Sequence, residues 1–231
     1  MEHLTDLRVT EFDRRGYGES LLARSAGLLA QHVDDLLEVM GDESTTVVAH
    51  SFGCVVAVSA AITHPGRFRG LGLWEPQVPW MDFWPRSVRR GLEAMAVEVD
   101  TDALAERVYA SMVGDEAWVR LPEELKAQRR AEGMAFQRDV VLGLSPPFRW
   151  EDLKVPSLFG VGLQSWPFSQ DAASRLAESL GSELFTIADA AHSAHVTHPR
   201  QFAEFVRRST ALPADEDAGA RAGPRESDHS P

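Results

Sequence analysis

Residues 47–65, VVAHSFGCVVAVSAAITHP, constrain the chain more than any other stretch. His50 and Ser51 interrupt an otherwise apolar run, and buried polar side chains cost free energy unless they are bonded or used. Thr45 to Ala49 is continuous in β-branched residues, the pattern of a strand buried on both faces. Phe52 to Thr63 is small and apolar and suits a tightly packed helix that ends before Pro65. The polar pair therefore falls at the bend between a strand and a helix. Ser51 sits at the turn, with Ala49 two residues before it and Gly53 two after, a relaxed form of G-x-S-x-G. A serine on so sharp an elbow has a strained backbone and brings its flanking residues close, which favours small side chains there. The elbow holds the hydroxyl at the carboxyl edge of the sheet, where ligands bind in open α/β folds. The helix starting at Phe52 aims free N–H groups at any negative charge that forms beside Ser51.

The rest of the chain fits around this junction. Leu7 to Phe12 is short and β-prone and ends in the turn-rich DRRGYGES. From Leu21 to Met40 the apolar residues recur at helical spacing, and Gly41 stops them. Leu71 to Trp74 reads as a strand. Strand and helix then alternate again through 156–162, 169–180, 183–189 and 199–209. The alternation predicts an α/β fold with a mainly parallel sheet flanked by helices. Residues 76–150 show helical patterns, little strand signal and four of the six tryptophans, and read as a helical cap inserted into the core. The core is then 1–75 and 151–210, and the polar segment 211–231 reads as a disordered tail.

Length and charge narrow the function. A chain of 231 residues fits one moderate domain with an inserted subdomain. A net charge of −12 repels phosphate backbones and argues against nucleic acid as a partner. The single cysteine, Cys54, cannot form an intrachain disulfide and fits a reducing compartment; it reads as a packing residue one turn into the helix. The start, MEHLTDLRV, has no basic or apolar leader region, and the run from Val47 to Ile62 is too short to span a bilayer. The expectation is a soluble cytoplasmic protein with no membrane partner.

Four motifs occur in order: DRRGYGES at 13–20, HSFG at 50–53, LWEP at 73–76 and AHSAHVTHPRQF at 191–202. Together they resemble the α/β-hydrolase family over about residues 4–209. The resemblance implies a catalytic triad in the chain order serine, acid, histidine. Ser51 would be the nucleophile, and His192, on the loop after the last strand, the general base and then acid. The acid usually follows the strand that here reads PSLFGVG, but Leu163 to Trp166 contain no carboxylate. The family's second location, the end of the strand after the elbow helix, holds Glu75, which is assigned as the acid. Asp171 lies inside a predicted helix, and Asp189 is too close in sequence to His192 for easy geometry. His192, His195 and His198 follow at three-residue intervals, a spacing that raises a zinc cluster. Pro199 opens the final helix there and no carboxylate lies in the stretch, so no metal is expected. His195 and His198 read as surface or helix-cap residues, and His50 as a packed, bonded histidine pointing away from the nucleophile.

The front of the chain departs from the family pattern. The family's sheet runs 1-2-4-3-5-6-7-8, and its third strand leads into a His-Gly loop that supplies a second oxyanion N–H. If RVTEF is the fourth strand, the first three are missing, and no His-Gly pair occurs in the chain. The N–H of Phe52 would be the remaining donor, and losing one donor typically costs about 10²- to 10³-fold in rate. Either Met1 is an internal methionine of a longer protein, which is the favoured expectation, or RVTEF pairs directly with TTVVA. On the first reading the 231-residue chain is poorly stable and nearly inactive. The implied activity is hydrolysis of a small, largely apolar ester, thioester or lactone, with no cofactor. The rival is a non-catalytic remnant that binds or regulates. Trp80, Met81, Phe83, Trp84 and Met95 could line an acyl pocket, although most are expected to pack the cap on the sheet.

Overall fold

The structure is a computed structural model that describes residues 2–21 and 27–213. Its centre is a four-stranded parallel sheet in the order β1 (Thr45–His50), β2 (Phe68–Trp74), β3 (Ser157–Gly162), β4 (Glu183–Ile187). Successive side chains on a strand point to opposite faces. On one face Leu71, Leu73 and Phe159 pack with helices α1 (Leu29–Met40), α2 (Phe52–Thr63) and α8 (Pro167–Ser179). On the other, Trp74, Leu158 and Ile187 pack with Phe205 of α10 (Pro199–Thr210). This two-sided burial explains why β2 and β3 are apolar without alternation.

Between β2 and β3 the chain forms five α-helices: α3 (Arg86–Met95), α4 (Thr101–Val113), α5 (Asp115–Arg120), α6 (Glu123–Ala131) and α7 (Gly133–Gly143). Trp84 and Trp150 are buried in the main core, and Trp150 lies 6.1 Å from Phe159 of β3. These tryptophans pack the helical stretch against the sheet, and Trp118 stacks on Tyr109 inside it. One turn, α9 (Ala194–Thr197), precedes α10.

Three expectations are corrected. Leu7–Phe12 forms no strand: it has neither regular secondary structure nor sheet pairing. It therefore does not close onto Thr45–Ala49, and β1 pairs with β2 alone among the described residues. A channel of about 640 Å³ separates the two, walled by Leu7 and Val9 on one side, Val47 and Val48 on the other, and Phe202 of α10. An unpaired edge leaves backbone groups to water, and every residue of β1 is only half-buried. The helix expected from Leu21 begins at Leu29; residues 22–26 lie outside the described residues. The segment read as a tail from 211 is ordered at its start, where Leu212 packs against the group formed by Trp74, Leu158 and Phe205; residues 214–231 lie outside the described residues.

Candidate active site

Two non-glycine residues among those described have positive φ: Ser51 at +54° and Glu75 at +47°. That region is sterically costly for a side chain with a Cβ. Each residue directly follows a strand, β1 or β2, and the strand ends lie side by side with His50 paired to Trp74. The Ser51 N–H donates to the Trp74 carbonyl at 3.0 Å, and the Glu75 N–H donates to the Gly160 carbonyl at 2.9 Å. The sheet's own hydrogen bonds thus run one step past each strand and hold the strained corner. A Cβ built on Gly53 would stand 3.9 Å from the Ala49 Cβ, ordinary contact. The flanking residues are close, as the elbow requires, but one more methyl would fit.

His192 follows β4 on a short loop and is 6% exposed, while Glu75 is fully buried. The His192 Nδ1 lies 2.7 Å from Glu75 Oε2. With the carboxylate ionised, Nδ1 carries the proton and donates, leaving Nε2 free to accept one. The His192 carbonyl accepts from the Trp74 indole Nε1 at 3.2 Å. Trp74 can lie flat against β3 because position 160 is glycine: a Cβ there would come within 2.4 Å of its ring. No hydrogen bond joins Ser51 Oγ to His192 in this structure, and such links are often loose before a substrate is present. Ser51 and His192 nevertheless sit at one edge, because the ring of His50, next to Ser51, is 4.3 Å from the ring of His192.

The structure therefore brings Glu75 to His192 and sets Ser51 beside them, with Phe52 opening α2. It gives the rival carboxylates other places. Asp171 pairs with Arg175 on α8, and Asp189 is exposed. His195, on the surface of α9, places its ring 5.0 Å from that of His50, and His198 stands between α9 and α10; the three-histidine spacing gathers no metal-binding group among the described residues. Cys54 is fully buried, and burial raises its thiol pKa, which keeps it protonated and unreactive.

Sequence reasoning missed several neighbours. Ser165 is buried against the Glu75 carboxylate. Trp166 is partly exposed, with its ring 5.3 Å from His192. Arg14 of DRRGYGES holds Asp139 of α7 with both terminal nitrogens, and its guanidinium lies 5.0 Å over Phe52. Burial opposes the Arg14 charge, but Asp139 and Tyr17 outweigh it and raise the guanidinium pKa, while the pair with Asp139 ties the helical stretch to the elbow. Gly16 and Gly18 have φ of +82° and +49°, the turn expected of them.

His50 corrects a further expectation. Its ring faces His192 and His195, at 4.3 and 5.0 Å, and its buried Nε2 has no partner. Burial first, then the two neighbouring imidazoles, lowers its pKa well below 6.5, against the opposing effect of the His192 backbone. The native protein therefore refuses a proton that the unfolded chain accepts near pH 6.5. Stability is complete above that pH and falls as pH drops below it, because the unfolded state then binds more protons. We expect the melting temperature to fall between about pH 7.5 and about pH 5, and His50→Gln to flatten that dependence. Thermal melts of both proteins across this range check it; parallel curves would remove His50 as the cause.

A parallel sheet with a strained serine between strand and helix, and a buried carboxylate–imidazole pair at the same edge, defines the α/β-hydrolase class. The chain belongs to the alpha/beta hydrolase family, whose pattern matches residues 2–205. Solved structures agree on the fold. An enol-lactonase from Burkholderia xenovorans superposes with a TM-score of 0.63 at 18% identity, covering 86% of this chain and 79% of that one. A bromoperoxidase from Bacillus anthracis gives 0.63 at 18% identity, over 84% and 80% of the two chains. A structure from a study of carboxylesterases of Nitrososphaera gargenis gives 0.61 at 17% identity, over 86% and 78%. No curated protein matches the chain. No helix among the described residues is long and apolar enough to cross a membrane.

Proposed function

We propose that Ser51, His192 and Glu75 hydrolyse a small, largely apolar carboxylic ester, thioester or lactone through an acyl-enzyme. The observation that carries this reading is the hydrogen bond between buried Glu75 and His192 at the edge where the elbow presents Ser51. Ser51 Oγ attacks the carbonyl carbon while His192 Nε2 takes its proton. The negative oxygen that forms faces the Phe52 N–H at the start of α2. His192 then protonates the departing oxygen or sulfur, and the acyl group remains on Ser51. Water, deprotonated by the same nitrogen, releases the acid. Glu75 fixes the Nδ1–H tautomer and stabilises the imidazolium of each step. The esterase and lactonase names among similar folds support an acyl substrate. The chain works on a small molecule, in the cytoplasm, without cofactor or nucleic acid.

Treatment with a fluorophosphonate tests the reading. The phosphonyl group should attach to the peptide carrying Ser51, located by mass spectrometry, and prior hydroxyl-directed blocking should prevent it. Attachment elsewhere, or none, would reject the assignment. The second reading, a catalytically impaired binding protein, is favoured by one observation: among the described residues β1 has no strand partner on its outer edge, beside the elbow. Unlabelled but folded protein is the outcome it requires.

A further inference from the structure

We propose that Ser165 is a positioning residue for the Glu75–His192 pair, an inference that rests on reading that pair as the catalytic acid and base. Ser165 lies on the turn after β3, 8% exposed. Its Oγ is 2.6 Å from Glu75 Oε1 and 2.8 Å from Oε2, so one hydroxyl hydrogen is shared between both oxygens. Oε1 also accepts from the Gly162 N–H at 3.0 Å, and Oε2 accepts from His192. Glu75 has no arginine or lysine partner among the described residues; its one ion-pair partner is His192. A fully buried carboxylate without a cation depends on such donors for its charge. Here three donors, from residues 162, 165 and 192, surround it.

The geometry gives Ser165 a task the other two donors cannot perform. Gly162 grips Oε1 and His192 grips Oε2, and each leaves the carboxylate free to swing about the other. Only the hydroxyl touches both oxygens, and this fixes the plane that points Oε2 at Nδ1. Ser165 is itself held from two sides. Its N–H donates to the Gly162 carbonyl at 3.0 Å, and its own carbonyl accepts from Gln170 Nε2 of α8 at 2.8 Å. A rigid turn thus carries the donor, as precise positioning requires.

Removing the hydroxyl strips a charged acceptor of one donor, worth about tenfold or more in an equilibrium. The carboxylate then binds protons more readily and draws the imidazolium proton more strongly. Both effects move the acid limb of activity, where His192 takes up a proton, to higher pH. The test measures fluorophosphonate labelling rate against pH for the full chain, for Ser165→Ala and for Ser165→Thr. We expect Ser165→Ala to label about tenfold more slowly with its acid limb shifted upward. Ser165→Thr should return both towards the parent values. An alanine variant with the parent rate, or a slower one with an unmoved acid limb, would overturn the proposal, as would failure of threonine to restore either. The low-field proton resonance of His192 Nδ1–H provides a readout independent of turnover. If the parent protein fails to label, the hydrolase reading falls; Ser165 is then judged by whether its loss shifts the pH at which that resonance titrates, and an unshifted resonance rejects it.

Discussion

Glu75→Gln is expected to slow acylation of Ser51 by about 10⁴-fold while leaving the fold intact. Glutamine has the size of glutamate, so packing around position 75 is retained. What changes is the polarity of one end. The Gly162 N–H points at Oε1 and needs an acceptor there, so the amide carbonyl must take that place. The NH₂ group then faces His192, where Oε2 stood 2.7 Å from Nδ1. Two donors cannot share that contact, so Nδ1 must become the acceptor and the proton must move to Nε2. That tautomer cannot take a proton from Ser51. Stability should hold or rise, because a buried charge has been removed. Labelling kinetics with a fluorophosphonate, read beside a thermal melt, checks both halves. A variant within tenfold of the parent rate would mean that Glu75 is not the acid. The same experiment separates an enzyme from a remnant, because a binding protein has no reason to respond to tautomer choice.

Much of the sheet was legible because a parallel strand buried on both faces writes a continuous apolar signature. Phe68–Trp74 and Ser157–Gly162 carry it, and the elbow helix carries its own in small residues. Glu75 and His192 were legible for a different reason: the motifs LWEP and AHSAH resemble a known pattern, and the structure sets their side chains together. Leu7–Phe12 misled, because its β-branched residues satisfy local propensity. Strand formation needs a paired neighbour, and β1 stands across a channel from it. Ser165 was invisible for the opposite reason. A serine in a turn after a strand is ordinary, and its meaning comes from a carboxylate 90 positions away in sequence. His50 reads from sequence as half of a strand's alternation, and only the loop after β4 and the short helix α9 bring two further imidazoles to it. Local pattern thus specifies elements, while the placement of buried polar groups depends on contacts that close over long sequence distances.

Gly162→Ala joins these two levels in one methyl group. A Cβ at position 162 would stand 2.2 Å from the Ala190 carbonyl oxygen, 2.6 Å from its carbon and 3.0 Å from the Ala191 oxygen. All three are backbone atoms, so no side chain can rotate away. The loop that carries His192 must move, or β3 must. The Gln164 N–H holds that loop through the Ala190 carbonyl at 2.8 Å, and the Trp74 indole holds it through the His192 carbonyl at 3.2 Å, so movement breaks bonds on either course. Overpacking of this kind costs about 1–3 kcal/mol, and the lost hydrogen bonds add to it. The catalytic consequence is larger than stability alone predicts. Gly162 also donates to Glu75 Oε1, so displacement pulls the carboxylate and the imidazole apart together. Misplacement by about 1 Å can cost 10²-fold in rate. We expect Gly162→Ala to melt several degrees lower and to label at least about 10²-fold more slowly at a temperature where it is fully folded. Gly53→Ala is the control: its methyl would meet the Ala49 Cβ at 3.9 Å, ordinary contact, so near-parent behaviour is expected. A Gly162→Ala protein that melts and labels like the parent would show that the loop after β4 does not lie against β3, and the geometry assigned to His192 would fall with it.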